Sequence, residues 1–333
     1  MDWVRTHSEK EVIHMTANQR KTEAKTVTVV GTGTMGPGIA QVLAQHGVGV
    51  RIYDIEEAQL RKAREAIKRN VKLMGDAGLI AKDDAEQVES QIHETRDLKA
   101  AVDGADLVIE AIPEVLDLKK TMFADLDGVC AEGTILASNT SGLSITALAQ
   151  ATQRPAKVIG MHWWNPPIII PVIEIIRGET TDDATVQAVE ALVKRIRKVP
   201  VLVKKDVPGF LGNRLQYALM REAIALLNEG VASAEDIDTM IKAGIGFKFP
   251  VMGPLETIDM AGLDIYHRVS QYLYKNLDNA ASPPPMIEKK VNSNELGLKT
   301  GKGFYDYAGV NVNELMGQRI NKLLILLKDL GYG

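Results

Sequence analysis

Residues 26–54, TVTVVGTGTMGPGIAQVLAQHGVGVRIYD, decide the fold. A β-branched run from Thr26 to Val30 leads into Gly31-Thr32-Gly33-Thr34-Met35-Gly36. A stretch of helical composition follows, then a second apolar run ending at Asp54. The order of these parts matters more than the glycines alone. Gly31 permits the tight turn out of the strand. Gly33 lets the backbone approach a pyrophosphate, with Thr34 and Met35 completing the loop, and Gly36 lets the helix pack against the sheet. The helix N-terminus then offers unpaired N–H groups and a partial positive charge to phosphates. Asp54 lies 23 residues after Gly31, where a carboxylate accepts hydrogen bonds from both ribose hydroxyls and repels the extra phosphate of NADP. No Arg follows it; the next residues are Ile55, Glu56 and Glu57. The segment predicts an NAD(H) site.

A chain of 333 residues has room for two domains with cores of their own. With 25% charged residues and a net charge of −4, nothing points to nucleic acid or a membrane surface as partner. The single Cys130, beside a predicted helix end, rules out an internal disulfide framework. No apolar run reaches the ~18 residues that span a bilayer. Residues 1–25 mix Arg5, Lys10 and Arg20 with Asp2, Glu9 and Glu11 and lack an apolar stretch. They match neither a secretory signal nor a transit peptide, and read as a loose or partly helical N-terminal extension. These features predict a soluble, cytoplasmic enzyme.

From Thr26 to about Val203, short Val/Ile-rich runs alternate with helical segments: VTVV, GVRIY, DLVIEAI, TILASNT, KVIGMHW, PVIEII and PVLV. Apolar runs of this kind between helices indicate a mostly parallel sheet buried on both faces. Residues 56–90 read as a charged helical pair broken near Gly75 and Gly78. Past Asp206 the strands stop, and amphipathic helices are predicted at 209–229, at 234–243 between Ser233 and Gly244, and near 254–277, 285–292 and 312–329. The expected fold class is α/β: a doubly wound Rossmann-type parallel sheet followed by an all-α C-terminal domain. The expected divisions are an extension over 1–25, an NAD-binding domain over 26–205 and a helical substrate and dimerisation domain over 206–333.

Candidate chemistry falls at strand ends, where doubly wound folds bind ligands. Ser138-Asn139-Thr140-Ser141 follows TILA, and Met161-His162-Trp163-Trp164-Asn165-Pro166-Pro167 follows KVIG. Glu174 lies twelve residues beyond His162, inside PVIEII. A carboxylate in an apolar strand is costly to bury without a partner. His162 is the natural one, because a Glu can orient an imidazole and stabilise its protonated form. A histidine so placed is more often structural, and the adjoining NAD site is what favours catalysis. Trp163 and Trp164 read equally as walls of a substrate pocket or as packing under the sheet edge. No cluster has metal-ligand spacing, so no metal is expected.

On these residues the chain resembles the 3-hydroxyacyl-CoA dehydrogenase family over most of residues 26–307. The resemblance rests on VGTGTMGPGIA, VIEAIPE, SNTSGLSIT, the H-x-x-N-P run with its downstream Glu, VPGFLGNRL and LGLKTGKGFYDY. It implies an active site of Ser141, His162, Glu174 and Asn213. It also implies NAD contacts at Glu114, Lys119, Ser141, Asn165 and Lys299 beside the glycine loop and Asp54. The implied activity is oxidation of the 3-hydroxyl of a short 3-hydroxyacyl-CoA such as 3-hydroxybutyryl-CoA, and the reverse, in fatty acid metabolism, by a homodimer. Three departures resemble instead the family branches that act on small free acids, gulonate 3-dehydrogenase and a pyridine-carboxylate dehydrogenase. Trp163-Trp164 stands where the acyl-CoA enzymes carry Phe-Phe or Phe-Tyr, and Asn-Pro-Pro-Ile-Ile-Ile-Pro follows. Asn70 and Ala77 occupy the register of the Ser and Lys that contact CoA. A third class, a non-enzymatic NAD-binding protein such as a lens crystallin, is disfavoured because all four active-site side chains are present.

Overall fold

The computed structural model describes residues 24–332. The extension expected over residues 1–25 lies outside them, apart from Ala24 and Lys25. Contacts divide the chain into two units, residues up to Asn213 together with those from Leu323 onward, and residues Arg214–Lys322.

The first unit is an eight-stranded sheet in the order β3-β2-β1-β4-β5-β6-β7-β8. Its elements run β1 (Thr26–Val30), α1 (Gly36–Gln45), β2 (Gly49–Tyr53), α2 (Glu57–Asp76), α3 (Lys82–Ser90), β3 (Ile92–Thr95) and α4 (Leu98–Val102). They continue with β4 (Leu107–Glu110), α5 (Leu116–Val129), β5 (Ile135–Ser138), α6 (Ile145–Ala149), β6 (Val158–Trp163), β7 (Val172–Ile176), α7 (Asp183–Arg195) and β8 (Val199–Val203). Strands β1 to β6 pair in parallel, β7 runs antiparallel to β6, and β8 lies parallel to β7. This is the doubly wound arrangement the apolar runs implied, with reversed strands added at one edge.

Strand β3 carries no apolar-run signal. Its sequence, Ile-His-Glu-Thr, is polar because an edge strand has one partner and half-exposed faces. His162 also lies within β6 rather than after it. The antiparallel pairing of Trp163 with Ile173 extends the strand and sets His162 directly opposite Glu174. One core cluster packs Val30, Val108, Leu136 and Ile176 of the sheet against Phe123, Leu126, Ile145 and Phe210. Helix α1 starts close to β1 because Gly36 has no Cβ; one there would sit 2.1 Å from the Gly31 carbonyl oxygen.

Helix α8 (Gly212–Asn228) crosses from the first unit into the second. There it is followed by α9 (Ala234–Met240), a π-turn over Ile241–Ile245, α10 (Gly246–Lys248), α11 (Pro254–Ala261), α12 (Leu263–Leu273) and α13 (Pro285–Asn292). Ser233 caps α9 by accepting from the Asp236 N–H at 3.0 Å. The helix expected over 254–277 is two helices, because Gly262 adopts φ +98° between them. The tail after α13 is tied to α9 through the Tyr305 hydroxyl, 3.0 Å from Asp238 and 3.1 Å from the Ala234 carbonyl. No residue of α8 to α13 is buried. Helix α14 (Val312–Asp329) carries the chain back to the first unit, with Leu324 and Leu327 buried and Lys328 donating to the Ala77 carbonyl.

Candidate active site

A cleft of about 690 Å³ opens along the ends of β1, β2 and β4. Gly31, Gly33, Thr34, Met35, Asp54, Glu114, Lys119 and Ser141 all line it. Gly31 has φ +94°, and a Cβ there would meet the Ala111 carbonyl carbon at 2.8 Å, so the turn requires glycine. A Cβ on Gly33 would meet nothing within 4 Å, so its backbone borders open space where a phosphate can approach. Gly36 stands behind the loop at the start of α1. Asp54 accepts from the Thr32 amide and hydroxyl, both at 2.9 Å on Oδ2, and from the Glu56 amide at 3.0 Å on Oδ1. Those bonds aim the carboxylate and leave Oδ1 capacity for a hydroxyl. Ile55, Leu118 and Met122 add an apolar wall suited to a flat base. Residue patterns give them only a faint signal: Ile55 adjoins Asp54, while Leu118 and Met122 are one helical turn apart beside Lys119. The cleft therefore fits a dinucleotide on its own geometry.

The floor of the cleft holds a buried charge network that the motifs only half revealed. Glu110, at the end of β4, accepts from Lys119 Nζ at 2.6 Å, the Ile112 amide at 2.7 Å and the Ser138 hydroxyl at 2.6 Å. Glu110 and Lys119 are essentially inaccessible, so each charge depends on the other. Lys119 also reaches Glu114 at 3.3 Å. Glu114 in turn accepts from the Thr140 hydroxyl at 2.6 Å and the Ser141 amide at 2.8 Å. Motif reading passed over Glu110 because, letter by letter, it is one more residue of the strand VIE; only the pairing shows its purpose. Asn139 was likewise unassigned, and its Oδ1 accepts from the Trp163 amide at 2.8 Å, tying the end of β5 to β6.

On β6, His162 Nδ1 donates to Glu174 Oε2 at 2.7 Å, and both side chains are buried. A carboxylate only accepts, so the proton sits on Nδ1 and the lone pair on Nε2 remains for another group. Glu174 Oε1 accepts from the Leu211 and Gly212 amides at 3.1 and 2.9 Å, at the N-terminus of α8. Burial works against ionisation of Glu174. The hydrogen bonds from His162 and from the Gly212 and Leu211 amides, with the imidazole's charge, outweigh it and hold the carboxyl below its ordinary range. The two tryptophans differ in their settings. Trp163 is buried, while Trp164 turns its Nε1–H to Glu174 Oε2 at 3.3 Å.

Asn213, the second residue of α8, donates from Nδ2 to the Ser141 carbonyl at 2.8 Å. The segment Leu211–Asn213 thus anchors both pairs, His162 with Glu174 and Ser141 with Asn213. Asn165 is exposed in the loop after β6 and does not line the cleft. Lys299 belongs to the second unit, exposed on the turn between Gly297 and Lys302. Among the described residues no group of three His, Cys, Asp or Glu side chains has metal-binding geometry, and no helix is long and apolar enough to cross a membrane. Cys130 is a free thiol at the end of α5, and burial pushes it up to about 11.

Residues 26–207 match the 3-hydroxyacyl-CoA dehydrogenase NAD binding domain, and residues 209–307 match the C-terminal domain of the same family. The 5-formyl-3-hydroxy-2-methylpyridine 4-carboxylate 5-dehydrogenase of Mesorhizobium japonicum is 40% identical over 306 residues, 92% of this chain and 98% of that one. A probable 3-hydroxybutyryl-CoA dehydrogenase of Bacillus subtilis is also 40% identical, over 86% of this chain and 98% of its own. Among solved structures, a 5-formyl-3-hydroxy-2-methylpyridine 4-carboxylic acid 5-dehydrogenase, described as an NAD+-dependent dismutase, superposes with a TM-score of 0.86 at 40% identity, over 92% and 98% of the two chains. The (S)-3-hydroxybutyryl-CoA dehydrogenase of Ralstonia eutropha gives 0.72 at 38% identity, over 86% and 99%.

Proposed function

Because the chain belongs to the 3-hydroxyacyl-CoA dehydrogenase family and is an NAD-dependent dehydrogenase, we propose that His162 is its proton donor and acceptor and that its substrate is a small free carboxylic acid bearing a hydroxyl or carbonyl group. The observation that supports this substrate class is the breadth of one likeness. The pyridine-carboxylate enzyme matches 92% of this chain at a TM-score of 0.86, against 86% and 0.72 for the Ralstonia enzyme.

Bound NAD supplies the hydride acceptor in one direction and, reduced, the hydride donor in the other. His162 Nε2 takes the hydroxyl proton as the alcohol is oxidised and returns it to the oxygen in reduction. Glu174 holds the ring in that tautomer and stabilises the imidazolium. The Ser141 hydroxyl orients the reacting oxygen, and Asn213 positions the substrate while fixing the Ser141 backbone. Gly31, Gly33, Thr34, Met35 and Gly36 form the pyrophosphate loop. Asp54 holds the ribose, and Glu114 and Lys119 complete the cofactor contacts within the cleft.

A short 3-hydroxyacyl-CoA is the second reading. It is favoured by the C-terminal family match through residue 307 and by the equal 40% identity to the Bacillus protein. NADH absorbance decides between the two. Turnover of pyridine or aliphatic hydroxy acids with NAD+, and silence with acetoacetyl-CoA and NADH, is the expected result. Fast oxidation of NADH with the thioester alone would overturn it.

The same reading includes a homodimer formed through the helical unit. Phe247, Leu255 and Met260, on helices that bury no residue of their own, and Val251 in the turn between them are each at least 75% exposed, and a second copy supplies the missing cover. Sedimentation should give twice the chain mass; a monomer at micromolar concentration would refute it.

A further inference from the structure

Glu174 is fully subscribed. Oε1 accepts from the Leu211 and Gly212 amides, and Oε2 accepts from His162 Nδ1 at 2.7 Å and Trp164 Nε1 at 3.3 Å. Four donors fill the lone-pair sites of a carboxylate, and at 2% exposure little water stands ready to replace any of them. The indole and the imidazole therefore share one oxygen. The Trp164 ring is held for that role: a Cβ on Gly212 would lie 2.3 Å from its Cζ2, so the ring packs on bare backbone at the start of α8. Its centroid is 5.4 Å from that of His162, tilted by 50°, with Phe210 at 5.9 Å.

We propose that Trp164 is a positioning residue that tunes His162. By giving its N–H to the carboxylate oxygen that holds Nδ1, it stabilises the Glu174 anion independently of the imidazole's charge. Glu174 then has less to gain from a protonated His162, and the proton affinity of the ring falls. Strand β7 contributes Glu174 to the surroundings of His162, the segment before α8 contributes the Phe210 ring, and the Leu211 and Gly212 amides act on His162 through Glu174. Arg214 follows Asn213 in the chain and is present in wild type and variant alike. The ring faces of Trp164 and Phe210 favour the imidazolium in the opposite sense. Trp164→Phe keeps a ring and removes the N–H, so it isolates the donor.

The kinetic consequence rests on the acid/base reading above, while the titration itself does not. Imidazole 1H–15N spectra of the full chain, with and without NAD+, are to be followed between about pH 4 and pH 9. His162 is identified by its loss in His162→Gln. In Trp164→Phe its midpoint should rise by about half a unit, roughly a threefold gain in proton affinity, and the acid limb of kcat/KM should move with it. A midpoint that stays fixed or falls overturns the proposal. A second measurement needs no variant at Trp164. In the wild type, the indole N–H resonance of Trp164 should shift with the His162 midpoint, the three tryptophans being told apart by Trp3→Phe and by the solvent protection of Trp163. A flat Trp164 resonance refutes it. If His162 is not the acid/base, His162→Gln keeps its turnover while the titration difference persists, so the two failures are distinct.

Discussion

Two carboxylates stand on apolar strands of the same sheet, Glu110 at the floor of the cofactor cleft and Glu174 opposite His162, and both are almost wholly inaccessible. Their partners differ. Glu110 is answered by the amino group of Lys119, together with Ser138 and the Ile112 amide. Glu174 is answered by an imidazole, a side chain suited to proton exchange, and by two amides and one indole that hold it independently of the imidazole. A fixed pair sets geometry and contributes nothing to proton traffic. A pair with one switchable member can move a proton because the other has enough donors to stay ionised throughout. In this protein the first arrangement lies under the cofactor loop and the second lies where we propose that a proton is exchanged.

The largest test of that contrast is His162→Ala. It should lower kcat by about 10²–10⁴-fold while NADH affinity, read by fluorescence, stays within about twofold; unchanged turnover would erase the distinction. Next, Glu110→Leu leaves Lys119 buried without its partner and should cost about 3–5 kcal/mol in urea unfolding, with most of it regained in Glu110→Leu/Lys119→Met. If the single replacement is neutral, the floor pair holds nothing. Asp54→Ala removes a charged acceptor from the cleft and should weaken NAD+ by roughly 10–100-fold while narrowing its advantage over NADP+. Titration calorimetry with both cofactors reads this directly.

The smallest effect concerns pH. The Glu174 carboxyl is held below its unfolded value, so its stabilising contribution is present in full above the ordinary carboxylate range and is lost as pH falls through the depressed folded value. Wild type should therefore exceed Glu174→Gln in stability at neutral pH, and the two should converge in acid. A gap that widens in acid would reverse the sign of the linkage.

Much of this was legible in the sequence for physical reasons. The Gly31–Gly36 loop is a backbone device, and backbone demands for glycine are written in single letters. The six strands with neighbours on both sides have to be apolar, and β8 at one edge is apolar as well, so seven of the eight announced themselves; β3 did not, because an edge strand can afford His93 and Glu94. Glu174 was conspicuous as a charge inside PVIEII, and the antiparallel register then put it opposite His162. Glu110 was as anomalous in its strand, yet its partner lies nine residues on, across a loop and on a helix whose direction no local pattern supplies. The indole bond of Trp164 and the Asn213–Ser141 link were hidden for the same reason. They depend on where the segment before α8 returns to the sheet, a long-range fact with no periodicity.

The tether of Lys328 to the Ala77 carbonyl has a consequence for biosynthesis. The sheet-bearing unit is assembled from two stretches of chain separated by the 109 residues of the helical unit, and the later stretch is synthesised only after that unit. Residues 24–213 can begin to pack while synthesis continues, but Leu324 and Leu327 reach their places only once the intervening helical unit has been made. During that interval the nascent sheet unit lacks its C-terminal cover, and a chain halted anywhere between 214 and 322 carries that deficit permanently. Completion of the first-made unit is thus timed by synthesis of the second, so a product truncated before Leu324 is marked by the surface it cannot close.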